Sequence, residues 1–207
     1  LWIIPVSFAF LILVGTIVLK MPFSLNPGQQ ISWVDSLFTA TSAVCITGHS
    51  AISICDVFDF SGQMVLLFLI QMGGVGIFTS SLIMVVVVGQ RLSLADEQVI
   101  QATVGQMRTV RPVDVFIYAC FFIFFFEALG AVLYLMGANH STDYKGLLVD
   151  PASGLAGDAF ALVLWDSIFH SVSAFCNAGF SLYPEGMVRM KNSPYFLGLL
   201  SSLVVMG

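Results

Sequence analysis

One sixteen-residue pattern occurs twice in this chain, and it restricts the possible folds more than any other feature. Residues 35–50 read DSLFTATSAVCITGHS and residues 166–181 read DSIFHSVSAFCNAGFS; aligned without gaps, eight of the sixteen positions are identical. The shared residues are Asp35/Asp166, Ser36/Ser167, Phe38/Phe169, Ser42/Ser173, Ala43/Ala174, Cys45/Cys176, Gly48/Gly179 and Ser50/Ser181. Self-similarity of this kind marks a repeated structural unit. Each copy lies between long apolar stretches. Crossing the hydrocarbon core as a helix takes about 20 apolar residues. Leu1–Leu19, Met64–Val88 and Val113–Gly137 satisfy this, and Tyr195–Gly207 begins a fourth such stretch. The expected fold class is therefore an all-α polytopic membrane protein built from two helix, re-entrant loop, helix units. The expected boundaries are 1–90 for the first unit, 91–112 for a connecting segment and 113–207 for a truncated second unit.

Composition supports lipid as the main solvent. Only 9% of residues are charged and 58% are hydrophobic, whereas soluble domains carry about a quarter charged residues. Both chain ends fall inside apolar runs, so an internal fragment of a longer protein is expected. Cys45, Cys55, Cys120 and Cys176 form no metal-binding spacing and imply no disulfide framework. Gly73, Gly74 and Gly76 interrupt the second span, where close helix packing is the plainer reading and a local bend the other.

The connection between spans two and three carries Arg91, Arg108 and Arg111. Basic residues concentrate in short cytoplasmic links, so both loops are expected to enter from outside. Leu92–Val110 reads as an amphipathic surface helix on the inner side. The outer stretches carry Asp35, Asp56, Asp59, Asp143, Asp150, Asp158, Asp166 and Glu185. Acids at a pore mouth concentrate cations; they are equally at home as solvated loop residues.

The duplicated loop has readable chemistry. Non-helical backbone at membrane depth is tolerated only where it is buried in protein or lines a polar cavity. Trp33–Ser42 suits a short helix, capped by Ser32 with Asp35, whose negative C-terminal end favours a cation. The stretches that follow hold Cys45, Ile46, Thr47 and Gly48 in one copy, and Cys176, Asn177, Ala178 and Gly179 in the other. Neither contains a charged side chain. Backbone carbonyls hold a dehydrated monovalent cation, as in potassium filters, and glycine supplies the backbone angles that aim them. The bland alternative is a tight-turn glycine in each copy; its coincidence with a repeat and a short preceding helix favours the filter.

These residues resemble a known family. TATSAVCITG (39–48) and HSVSAFCNAGFSL (170–182) are similar to the first and second pore loops of the Trk/Ktr/HKT potassium transporters. QMGGVGI (71–77), RLSLADEQVIQ (91–101) and FEALGAVL (126–133) resemble neighbouring segments of the same family. The resemblance implies a KtrB/TrkH-like membrane subunit with four units around a pseudo-fourfold pore, half of it present here. It implies one filter strand per unit with a key glycine, here Gly48 and Gly179, and potassium uptake across the plasma membrane (the bacterial inner membrane). A gating loop would belong to the third unit. It also implies a homodimer of the full-length protein and a cytosolic nucleotide-sensing ring of the KtrA/TrkA type. Potassium is the substrate, and no cofactor or nucleic acid is expected.

Other readings compete less well. Two units per chain could form a dimeric potassium channel, but neither CITGH nor CNAGF carries the second glycine of a TVGYG filter. A non-conducting scaffold would not need both glycines. His49–Ser50 and His170–Ser171 are adjacent pairs, a poor geometry for a nucleophile and its base, and there is no HExxH for a metalloprotease, so no enzyme is expected. Glu127 lies within span three, where an acid is costly. Its distance in sequence from either loop makes a structural role the expectation.

Overall fold

The computed structural model describes residues 3–89, 112–140, 159–184 and 186–207. Its helices are α1 (Ile3–Lys20), α2 (Trp33–Val44), α3 (Ile54–Val57), α4 (Phe60–Gly89), α5 (Pro112–His140), α6 (Ala159–Phe175) and α7 (Pro194–Met206), with 3-10 turns at Pro22–Ser24 and Gly186–Met190. The connection around Arg91–Arg111, including the expected Leu92–Val110 helix, lies outside the described residues. So do Asp143, Asp150, Asp158 and Glu185.

Local chemistry sets the boundaries. Met21 precedes Pro22 and adopts φ −66°, ψ 145°, because the proline ring crowds the helical conformation of the residue before it. Lys20, in the last turn of α1, donates to the Ile31 carbonyl, and its Nζ lies 5.0 Å from the centre of the Trp33 ring. Ser32 caps α2: its Oγ accepts from Asp35 N–H (3.0 Å) and donates to Asp35 Oδ2 (2.7 Å). This is the capping pair expected at Ser32 and Asp35, and it satisfies one of the otherwise orphaned amides at a helix start. Pro194 opens α7, where a missing N–H costs nothing.

Phe60–Ile77 and Phe116–Ala138 are long and apolar enough to cross a membrane, and Pro5–Lys20, Phe160–Phe175 and Pro194–Met206 are shorter apolar helices. Large apolar side chains remain exposed along one helix after another, among them Phe10 and Leu13 on α1 and Phe121, Phe124 and Phe125 on α5. Such a surface suits hydrocarbon rather than water.

Two short helices sit inside this frame. α2 packs against α1 and α4, and α6 packs against α5, α7 and α4. One apolar cluster joins both halves, bringing Phe169, Val172, Ala178 and Phe180 against Ala43, Val44, Leu66 and Ile70. α4 runs unbroken through Gly73, Gly74 and Gly76, so these residues serve packing rather than a bend. A Cβ on Gly73 would lie 2.3 Å from the Val44 carbonyl oxygen, so only glycine lets α4 touch the end of α2. The four cysteines are free thiols.

Candidate functional site

The two copies of the repeat end their short helices with the same hydrogen bonds. In the first, Cys45 N–H donates to Thr41 O (2.8 Å), Ile46 N–H to Ala43 O (3.3 Å) and Thr47 N–H to Ser42 O (3.0 Å). In the second, Cys176 N–H donates to Val172 O (2.9 Å), Asn177 N–H to Ala174 O (3.0 Å) and Ala178 N–H to Ser173 O (2.7 Å). The last two bonds of each set are the paired bonds of a Schellman end, which needs a left-handed residue just past the helix. Ile46 and Asn177 fill that position, each with φ 57°. Asparagine tolerates it, whereas a β-branched isoleucine there is strained.

Two residues later the backbone turns left-handed again, at Gly48 (φ 72°) and Gly179 (φ 70°). Thr47 and Ala178 between them are not left-handed. Reversal of handedness at alternate residues turns successive carbonyls toward the same side of an extended segment. Among the described residues, the carbonyl oxygens of Cys45, Ile46, Gly48, Cys176, Asn177, Ala178 and Gly179 accept no hydrogen bond. They remain available to a polar guest.

The two segments meet at their glycines. A Cβ on Gly48 would lie 2.8 Å from Ala178 O and 3.2 Å from Gly179 Cα, and one on Gly179 would lie 3.1 Å from Gly48 Cα. Thus the eight residues singled out from sequence fall into two like segments, in contact at Gly48, Ala178 and Gly179.

Serines that the sequence reading left unassigned hold these segments. Ser42 Oγ accepts from His49 N–H (2.9 Å) and from Thr47 Oγ1 (3.0 Å). Its counterpart Ser173 donates to Phe180 O (2.7 Å). Each therefore spans the loop from the last turn of its helix to the residue after the glycine. Identity of the serine in both copies was the available signal.

The structure corrects one expectation. Asp166 is not a mouth acid: it is 3% exposed, accepts from Tyr183 Oη (2.6 Å) and faces His170 Nδ1 at 3.0 Å. α6 begins further ahead of the repeat than α2 does, so Asp166 falls mid-helix and turns inward. His170, 1% exposed, stacks between Tyr134 and Tyr183. Its Nε2 accepts from Leu182 N–H and pairs with Ser181 Oγ (3.2 Å), not with Ser171. By contrast Asp56 is exposed and Asp35 half-buried. Glu127, expected to be structural because it is remote in sequence from either loop, lies beside one in space: Cys176 Sγ donates to Glu127 Oε1 across 3.5 Å.

The family model of the TrkH cation transport proteins matches residues 6–207. The chain belongs to this family. It is a family of membrane cation transporters rather than of enzymes. The chain is 31% identical over 205 residues to the Ktr system potassium uptake protein B of Vibrio alginolyticus, covering 99% of this chain and 41% of that protein. It is 29% identical to the protein of the same name from Bacillus subtilis, with 99% and 42% covered. Against the potassium/sodium uptake protein NtpJ of Enterococcus hirae it is 28% identical, again covering 99% and 42%. The chain thus spans about two fifths of the length of the curated relatives it matches.

Proposed function

We propose that this chain forms two of the four units of a potassium-uptake subunit in the plasma membrane, and that its two loops line the ion path with backbone carbonyls. The observation that carries this reading is the duplicated backbone geometry: left-handed residues at Ile46 and Gly48, and again at Asn177 and Gly179, in loops that meet at their glycines. A Schellman end accounts for one left-handed residue in each loop, not for a second one two positions on, repeated in both copies. Cys45, Ile46, Thr47 and Gly48 supply one filter strand, and Cys176, Asn177, Ala178 and Gly179 the next. Potassium is the substrate, stripped of water and held by carbonyls that replace its hydration shell. The C-terminal ends of α2 and α6 add negative potential on the approach.

The units correspond to residues 1–90 and 113–207, joined by a cytoplasmic segment. The relatives' lengths leave room for two further units, which favours a four-unit ring over a dimeric channel of two-unit chains. The full-length protein pairs as a homodimer and docks on a cytosolic nucleotide-sensing ring; relatives named as parts of a Ktr system support such a partner.

The test is potassium uptake by the full-length reading frame in a bacterium lacking its own uptake systems. Wild type, Gly48→Ser and Gly179→Ser are compared at equal membrane abundance. Loss of uptake, or gain of sodium leak, in both variants is expected. Unchanged uptake in both variants refutes the filter assignment.

A further inference from the structure

Glu127 sits where three elements meet. It is 5% exposed, and Cys176 is 9% exposed. The Cys176 thiol donates to Glu127 Oε1 from one side. On its other side it rests on α4, where a Cβ on Gly74 would lie 2.6 Å from Cys176 Sγ. Gln71, one turn before Gly74 on α4, buries its Nε2 with no hydrogen-bond partner among the described residues. At the same level Ser171 Oγ donates to the Glu127 carbonyl (2.7 Å). That approach is possible because Gly130, one turn further along α5, has no side chain; a Cβ there would lie 2.4 Å from Ser171 Oγ. The first unit therefore contributes Gly74, and the second contributes Glu127, Ser171 and the loop itself.

We propose that Glu127 is a positioning residue for ion selectivity, fixing the second filter strand through the Cys176 thiol. An acid within a membrane span is expensive, and packing alone would be served by an apolar residue. The carboxyl instead meets the side chain of a residue whose own carbonyl faces the ion path. Cys176 is thereby held between Glu127 and the α4 backbone, and its carbonyl is held with it. The corresponding Cys45 is exposed, so this anchor belongs to the second strand. The inference rests on the filter reading proposed above.

The experiment measures the ratio of potassium to sodium uptake in the full-length protein for Glu127→Leu, Glu127→Gln, Cys176→Ala, the Glu127→Leu/Cys176→Ala double variant and Gly179→Ser. Membrane abundance is measured alongside. Glu127→Leu and Cys176→Ala should each lower the ratio about tenfold, and the double variant should be no worse than either, because both remove one interaction. Glu127→Gln keeps an acceptor for the thiol and should hold the ratio within about twofold of wild type. A merely structural role would change the amount of protein and total uptake, not the ratio. Should Glu127→Leu fail to accumulate, Cys176→Ala decides alone: an unchanged ratio overturns the proposal. Additive losses in the double variant, or equal losses in Glu127→Gln and Glu127→Leu, also overturn it. If Gly179→Ser alters the ratio while Cys176→Ala and Glu127→Leu do not, only this inference falls. If Gly179→Ser has no effect either, the second loop's part in the filter falls with it, and Gly48→Ser decides the filter reading as a whole.

Discussion

Replacing Gly48 by alanine separates two consequences of a left-handed glycine. An L residue in that region costs about 1–2 kcal/mol. Gly28 (φ +83°) and Gly48 (φ +72°) would both incur it. At Gly28 the added Cβ meets nothing within 4 Å, whereas at Gly48 it lies 2.8 Å from Ala178 O. Restoring ordinary contact at 3.4 Å requires the neighbouring strand to retreat by 0.6 Å (3.4 − 2.8). A binding constellation tolerates displacements of about 0.5 Å before it loosens. Gly28→Ala should therefore lower stability by about 1–2 kcal/mol and leave uptake near wild type. Gly48→Ala carries the same strain and also moves the Ala178 carbonyl. If that move weakens potassium binding by about 1.4 kcal/mol or more, uptake at limiting potassium falls at least tenfold. The assay is potassium uptake by the full-length protein, normalised to membrane abundance, with sodium competition measured in parallel. Equal uptake and equal sodium competition in the two variants would refute the reasoning, since contact between the strands would then play no part in conduction.

Further outcomes follow from other contacts. Ser42→Ala leaves His49 N–H without its acceptor and should cost about 1–3 kcal/mol, read as a lower thermal unfolding midpoint in detergent. Ile46→Asn relieves a β-branched side chain at φ 57° and matches the second copy. It should raise that midpoint, against a small loss of apolar contact, by relieving about 1 kcal/mol of strain. Tyr183→Phe removes the hydroxyl that donates to buried Asp166 and should cost about 1.5–3 kcal/mol, checked by the same measurement. Burial pushes the Cys55 thiol up. The thiolate is the reactive form, so Cys55 alkylation at neutral pH should be slow and should rise as pH climbs past nine; fast labelling already at pH 7 would contradict this.

Much of this protein was legible in the chain because its signals are local or repeated. Apolar stretches long enough to span a membrane need only counting. The Ser32–Asp35 cap lies within one helical turn. The repeat located both loops, and the glycine shared by both copies marked one of the two left-handed positions in each. That Gly73 and Gly74 serve packing was also the plainer reading. What escaped was whatever depends on contacts between distant segments. Asp166 looked equivalent to Asp35, yet the longer α6 turns it inward onto Tyr183 and His170. Ile46 gave no sign of a left-handed backbone, because isoleucine disfavours one; the hydrogen bonds at the end of α2 impose it.

Hydrophobic length and backbone preference are properties of short segments, so the apolar stretches, the duplication and the shared glycines could be read along the chain. The meeting of the two loops at Gly48 and Gly179, and the reach of Glu127 to Cys176 across a helix seam, emerge only once the helices pack. Both depend on how closely α4, α5 and α6 approach, and that spacing is set by side-chain volumes meeting across elements far apart in the chain.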